Sequence, residues 1–280
     1  MAKVLPEEFK TFSHYILTIS GIHLDESKTY LLETRLGGLL KEFGCSSFSE
    51  LYYRVQSDGT KRIQEKIIDA ITTGETLFFR DSTPFDLLQH KVLPDLIDKR
   101  SKKMVAGTPI PIRIWSAACS TGQEIYSIAI IVKELLVDLS RYNVRLIGTD
   151  ISDSALSRAS YGRFNDFEIE RGLSKDKLLK YFVRDKDVWK IKDEVRAMAS
   201  FRKLNLMEPF NGIGKFDIIF CRNVAIYFTE PERTRLFKKI EGALETDGYL
   251  IIGSTESLTG IAPQFEPKRY VRSVFYQLKG

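Results

Sequence analysis

The segment Ile112–Tyr126, read with Pro111 as PIRIWSAACSTGQEIY, constrains the fold of this chain more than any other. Its Ile112, Ile114 and Trp115 read as a buried β-strand that runs into a turn of small residues. A helix with an apolar stripe at Ile125, Ile128, Ala129 and Val132 follows. A strand, a tight small-residue turn and a helix N-terminus form a nucleotide-type pocket, because small residues let the backbone approach a ligand closely. The next strand, Val144–Gly148, leads into Asp150. A carboxylate at that strand's carboxyl end is placed to accept hydrogen bonds from both ribose hydroxyls. These features imply an adenosine-containing cofactor on a Rossmann-like sheet. The turn carries Ala118, Ser120 and Gly122 where a dinucleotide fingerprint has three glycines. A cofactor without phosphates, such as S-adenosylmethionine, is therefore favoured over NAD.

The rest of the chain divides around this unit. Residues 1–100 read as a helical domain: Pro6–Ile19, then Asp25–Phe43 with Asp25 as N-cap and Gly44 just past its end. A short third helix opens on the Ser47-x-x-Glu50 capping box, and a fourth carries the stripe Ile63, Ile67, Ile68, Ile71. Thr83-Pro84 opens a fifth, with proline at the first helical position. Residues 101–111, SKKMVAGTPIP, read as a linker. Residues 112–280 alternate strands and helices, which implies an α/β fold with a mainly parallel sheet. Within it, residues from about 161 to 200 form an excursion too long for an ordinary loop. A short helix near Ser174–Phe182 and small strands around Phe182–Lys192 and Val195–Phe201 are expected there. The main sheet resumes at Phe201–Leu206, continues with Phe216–Cys221 and Tyr249–Gly253, the last entered through an Asp247-Gly248 turn, and ends at Val274–Leu278. Thr229-x-x-Glu232 caps the helix that presents Leu236, Phe237, Ile240 and Leu244 inward.

Composition excludes several classes. A net charge of +5, scattered along 280 residues, offers no interleaved basic and aromatic stripe for nucleic acid. Three cysteines, Cys45, Cys119 and Cys221, form no CxxC and read as reduced thiols. His14, His23 and His90 are too dispersed for a zinc site or a histidine-based triad, so no metal is expected. The N-terminus lacks the apolar core of a signal peptide, and no apolar run approaches a membrane span.

Three further segments belong with the small-residue turn. TTGETLFFRD, Thr72–Asp81, closes the helical region, while Asn205-Leu206 and CRNVAIYF, Cys221–Phe228, stand at strand ends. Ligands of open α/β sheets bind beyond the carboxyl ends of the strands, so these segments face one crevice. Together with WSAACSTGQEIYSIAI they resemble the chemotaxis-receptor glutamate methyltransferase family (CheR) over nearly the whole chain. The resemblance implies a class I (Rossmann-like) methyltransferase sheet with a small all-helical N-terminal domain and an inserted small antiparallel β-subdomain. It implies S-adenosyl-L-methionine as methyl donor and S-adenosyl-L-homocysteine as product. It implies glutamate side chains of chemoreceptor cytoplasmic domains as acceptors, and hence a cytoplasmic monomer with neither nucleic acid nor membrane insertion.

The same resemblance assigns residues. Thr76 and Arg80 of the T-x-x-T-x-F-F-R segment, Glu124, Asp150, the pair Asn205 and Leu206, and the pair Arg222 and Asn223 match cofactor contacts. Tyr227 matches a tyrosine near the methyl group, so Arg80 and Tyr227 are the expected catalytic pair. Gly74 stands at a cofactor-contacting position where the family usually has Asn, which removes a hydrogen bond worth about 0.5–1.5 kcal/mol. Arg80 has an alternative reading as a surface partner of Asp81, and Tyr227 as a core aromatic with its hydroxyl tied to backbone. In Asp25–Phe43, Lys28, Arg35 and Lys41 match a basic receptor-facing helix, but Gly37-Gly38 dilutes it. The hairpin VRDKDVWKIKDEV lacks the glycines of members that dock a receptor's C-terminal pentapeptide, so such docking is not expected. The same departures leave a non-catalytic S-adenosylmethionine-sensing or adaptor module as the competing reading. A methyltransferase acting on RNA or a small molecule ranks below both.

Overall fold

The computed structural model describes residues 3–105 and 107–280. Four helices come first: α1 (Pro6–Ser20), α2 (Thr29–Glu42), α3 (Phe48–Ser57) and α4 (Arg62–Ile71). Asp25 is an N-cap as expected, accepting from the Ser27 N–H at 3.0 Å, but it caps a 3₁₀ turn, Glu26–Lys28, and α2 proper starts at Thr29. Ser47 accepts the Glu50 N–H at 3.1 Å, while the Glu50 carboxylate reaches back to the Ser46 N–H at 2.7 Å. Phe12, Ile16, Leu32, Leu36, Phe48, Leu51 and Ile67 are the centre of a core of their own.

The next helical stretch belongs elsewhere. α5 (Thr83–Leu87) runs through a π-turn at Leu88–Val92 into α6 (Leu93–Ser101). Its Phe85, Leu88, Val92, Leu93 and Leu96 pack with Ile112, Ile114 and Ile128, in the core of the α/β sheet. The reading of residues 1–100 as one helical unit therefore needs correction. An amphipathic helix settles on whichever apolar layer covers its stripe, and a sheet face offers the larger one. The expected linker is also shorter, because β1 (Ile110–Ala117) starts inside it.

From there the order is α7 (Gln123–Leu135), β2 (Tyr142–Asp150) and α8 (Asp153–Tyr161). The insertion follows, with β3 (Arg163–Phe164), α9 (Asp166–Glu170), α10 (Lys175–Tyr181), β4 (Phe182–Asp185), β5 (Val188–Ile191) and α11 (Asp193–Arg196). The chain then returns through β6 (Ala199–Lys203), β7 (Phe216–Cys221), α12 (Glu230–Ala243), β8 (Leu244–Ile252), β9 (Phe265–Tyr270) and β10 (Ser273–Leu278). The main sheet has the order β6-β2-β1-β7-β8-β10-β9. Its first five strands are parallel, and β10 is antiparallel to both neighbours. The insertion makes a separate antiparallel sheet, β3-β5-β4. The α/β fold with an all-helical N-terminal unit and an inserted antiparallel sheet is as expected.

Three details differ. The two strands expected between Val195 and Leu206 are one, β6, because the chain leaves the sheet at Leu204, whose N–H bonds the Asp150 carbonyl at 2.9 Å. Asp247-Gly248 is not a turn between helix and strand. It lies within β8, where the register slips between Phe216 and Ile218 of β7, a bulge that absorbs the extra residues. Strand β9 went unforeseen because it carries Pro267 and four exposed positions. That composition fits an edge strand that needs no donor on its outer side.

At the amino ends of the strands, away from the cavity described below, Arg100 on α6 locks helix to sheet. Its guanidinium meets Asp247 at 2.8 and 2.9 Å and Asp217 at 2.6 Å, and Asp217 also accepts the Arg113 N–H at 2.8 Å. Burial opposes ionisation of Asp247, but Arg100 outweighs it and holds this carboxyl below its ordinary range. A depressed carboxyl contributes stability above its unfolded pKa and loses it as pH falls through the folded one. Arg100→Ala should therefore lower stability by about 2–3 kcal/mol at neutral pH. Denaturant melts should show that deficit shrinking toward pH 3.

Candidate active site

The turn after β1 is held in an unusual backbone. Ala118, Ser120 and Gly122 have φ of +59°, +50° and +96°. A left-handed alanine or serine costs about 1–2 kcal/mol, a strain that persists only where the surroundings enforce it. Here the Cys119 N–H is tied to the Thr149 carbonyl at 2.8 Å and the Ser120 N–H to Asp150 at 2.9 Å. Gly122 serves packing as well as conformation, since a Cβ there would stand 3.0 Å from that of Ala159 on α8.

Asp150 is 9% exposed, at the carboxyl end of β2. It is not the cap of α8; Ser152 is, accepting from Ala155 at 3.0 Å. One oxygen of Asp150 accepts the Ser120 N–H and the other the Ser152 N–H. An ionised carboxylate has about four acceptor sites, so two remain for a pair of hydroxyls. Burial pushes this carboxyl up from its ordinary value, against the two N–H donors that favour the charged form.

At the other end of the cavity, Glu124 on the first turn of α7 accepts from Ser116 Oγ at 2.8 Å and from Arg222 at 2.8 Å. Arg222 follows β7 and its side chain is 1% exposed. It also donates to the Arg80 carbonyl at 2.7 Å and to the Asp81 carboxylate at 3.0 Å. Asp81 thus pairs with Arg222 rather than with its neighbour Arg80. The Arg80 side chain gives only one bond, to the Glu75 carbonyl at 3.2 Å, leaving most of its donor fork open. Tyr227 sits in a 3₁₀ turn, Ala225–Tyr227. Its backbone carbonyl accepts the His23 N–H at 2.9 Å, and its hydroxyl bonds none of the described residues.

The helical domain forms the facing wall. Gly21, at φ +76°, ends α1 so close to Met207 that a Cβ would meet Met207 Cγ at 2.5 Å. Asn205 spends its amide on this junction, donating to the Ile19 carbonyl and accepting from the Met207 N–H, both at 2.9 Å. Asp69 on α4 accepts from Ser152 Oγ at 2.6 Å. Arg35, read as receptor-facing, turns inward, donating to the Ile71 carbonyl at 2.7 Å and Thr73 Oγ1 at 3.2 Å. It caps α4 and steers the strap Thr72–Asp81 across the sheet. The Gly74 carbonyl then accepts from Ser120 Oγ at 3.2 Å.

All ten sequence-assigned residues, Gly74, Thr76, Arg80, Glu124, Asp150, Asn205, Leu206, Arg222, Asn223 and Tyr227, line this one cavity between domain and sheet. Sequence reasoning passed over His23 and Ser120, which also line it, and Asp81 and Glu256, which brace it from behind. Ser120 was visible within the turn; Glu256 sits in a polar loop without pattern. Cys119 and Cys221 are buried, and burial raises both thiols well above their ordinary range, so neither is a thiolate nucleophile.

The family model described as CheR methyltransferase, SAM binding domain, matches residues 74–272. The model described as CheR methyltransferase, all-alpha domain, matches residues 7–72. The chain belongs to the CheR methyltransferase family. It is 38% identical over 276 residues to chemotaxis protein methyltransferase 1 of Vibrio cholerae, covering 98% of this chain and 97% of that protein. It is 34% identical to chemotaxis protein methyltransferase Cher2 of Pseudomonas putida over 97% of this chain and 98% of that one. It is 41% identical to the chemotaxis protein methyltransferase of Borreliella burgdorferi over 86% and 84%. The boundary between the two family models falls at the strap, where the packing also divides.

This CheR protein is an S-adenosylmethionine-dependent methyltransferase, and the donor set fits that cofactor. Asp150 offers free acceptor sites for a ribose, and Glu124 offers a partly buried anion for an ammonium group. Neither helix nor turn assembles the cations that a pyrophosphate would need. Asp150→Ala should weaken S-adenosylhomocysteine binding about ten- to a hundredfold, since bonds to a charged acceptor are worth roughly 1.5–3 kcal/mol. Calorimetric titration of the folded variant checks this. An unchanged dissociation constant removes Asp150 from the site.

Proposed function

We propose that this CheR protein esterifies glutamate side chains on the cytoplasmic segments of chemoreceptors. The observation that carries the reading is the pairing of an open Arg80 fork with an unengaged Tyr227 hydroxyl in the cavity that Asp150 and Glu124 suit to the cofactor. Relatives named chemotaxis protein methyltransferase support the receptor as partner.

The cofactor's sulfonium supplies an electrophilic methyl group. A glutamate side chain is ionised near pH 7, with an ordinary pKa of about 4.3, so no general base is required. One O–C bond forms as the C–S bond breaks, and the product sulfur leaves neutral. What the protein adds is placement and the removal of water from the carboxylate. Placement alone can supply on the order of 7–11 kcal/mol. Arg80 presents a planar fork that matches a carboxylate. Tyr227 orients the reacting oxygen from the opposite strand end.

Several features bear on the partner. Lys28 is engaged by Asp25 at 3.2 Å and Arg35 points inward, so Lys41 is left as the exposed cation of that helix face. The contact with an acidic receptor segment is accordingly thin, or lies elsewhere. The open edges of the inserted sheet are the two-residue β3 and β4, whose Arg184 and Asp185 are tied to Asp166 and Arg163. Short, charged edges resist strand addition, which supports activity without a docked pentapeptide. No described helix is long and apolar enough to cross a membrane. We place the reaction in the cytoplasm, with the enzyme acting as a monomer.

The test is transfer of labelled methyl to receptor cytoplasmic fragments, with release of methanol by base. Tyr227→Phe should lower kcat about ten- to a hundredfold and leave the cofactor dissociation constant within a factor of about two. Arg80→Lys should fail in turnover, since a point charge cannot replace a fork. Cofactor binding without transfer to any receptor fragment would overturn the proposal in favour of a sensing module. Gly74→Asn should fold normally, because a Cβ there meets only Ser120 Oγ at 3.8 Å, and should tighten cofactor binding up to about tenfold.

A further inference from the structure

Behind the cavity, the loop after β8 sends Glu256 back under the end of β7. One of its oxygens accepts two backbone N–H groups, Gly253 and Asn223, each at 2.7 Å. Asn223 is held at φ +56°. Gly253 is obligatory beside it, since a Cβ would stand 2.4 Å from that same oxygen. The carboxylate therefore fixes the corner at which Arg222 and Asn223 turn toward the cavity.

The second oxygen of Glu256 and the Nε of Arg222 are both buried, and neither has a hydrogen-bond partner among the described residues. One is an acceptor and the other a donor, and the Arg222 charge acts directly on this carboxyl. Arg222 meanwhile divides its other nitrogens between Glu124 and Asp81. Three carboxyl groups thus surround one enclosed guanidinium: Glu124 toward the ligand, Asp81 on the strap and Glu256 behind. In a water-poor site a cation drawn toward two of these groups leans less on the third.

We infer that Glu256 is a positioning residue that shares the Arg222 guanidinium and so leaves Glu124 available to the ammonium end of the cofactor. Glu256 touches neither cofactor nor substrate. It acts through Arg222, and Asp81 does the same from the strap. The inference rests on the reading of Glu124 as the ammonium partner. Neutralising Glu256 lets Arg222 close on Glu124, and the cofactor then has to displace it.

The test is a double-mutant cycle on the full chain, read as the dissociation constant for S-adenosylhomocysteine. Glu256→Gln preserves volume and a carbonyl acceptor for the two N–H groups, so a role confined to shape predicts no change. The inference predicts about tenfold weaker binding with a melting temperature close to the parent's. It further predicts that Glu256→Gln adds less than about twofold in a Glu124→Gln background, because the route runs through Glu124. Asp81→Asn repeats the cycle from an exposed loop, where φ is +61° and Asn tolerates that conformation. It keeps the question answerable should Glu256→Gln fail to fold. Additive effects in either cycle, or parental binding by either single variant, would overturn the inference. A Glu124→Gln variant that binds like the parent would instead sink the assignment of Glu124.

Discussion

The Arg222 guanidinium is enclosed at the end of β7 and bonded to Glu124, to Asp81 and to the Arg80 carbonyl. A buried cation is tolerable only when partners surround it, and removing one partner of such a pair typically costs about 3–5 kcal/mol. Three chain segments must therefore arrive together: the carboxyl end of β7, the first turn of α7, and the strap that leaves the helical domain. Once the strap is fixed at Arg80 and Asp81, its earlier part must cross Ser120, and the helical domain is held over the sheet. Asn205, Asp69 and the His23–Tyr227 backbone bond complete the closure. The cavity is a consequence of that assembly; neither domain contains it alone.

This arrangement separates two tasks among groups that look alike in sequence. Asp150 and Glu124 present free acceptor sites to the interior, and Arg80 and Tyr227 present free donors. Asn205 and Arg222 line the same space with side chains already committed to protein partners. They shape the wall, and whatever they add to a ligand comes from the main chain or from charge at short range. Lys239 does comparable work behind Leu206. Its ammonium donates to the Leu206 and Glu208 carbonyls, and burial brings it down to about 8.

The sheet, the inserted subdomain and the ligand turn were legible because each leaves a local signature. The apolar run of β1, the alternation of strand and helix, and the position of Asp150 after β2 need no long-range knowledge. What escaped depends on partners far away in the chain. The allegiance of Phe85 and Leu88 to the sheet, rather than to the helical domain, is invisible in a stripe whose spacing is the same in either case. Strand β9 is hidden by Pro267 and its charges. The inward turn of Arg35 and the bracing by Asp81 and Glu256 follow from contacts that no spacing announces. The ten site residues were found through motif resemblance, and the structure supplies the reason they converge.

The central claim is that one ligand site is built jointly from the helical domain, the strap and the carboxyl ends of four strands. Hydrogen exchange of the full chain, followed by mass spectrometry with and without S-adenosylhomocysteine, tests this most directly. The account predicts protection together at residues 72–81, 118–124, 150–152, 204–206 and 222–228, with the sheet's amino end around Arg100 and Asp247 unchanged. Protection confined to the turn after β1, with the strap exchanging as before, would contradict it.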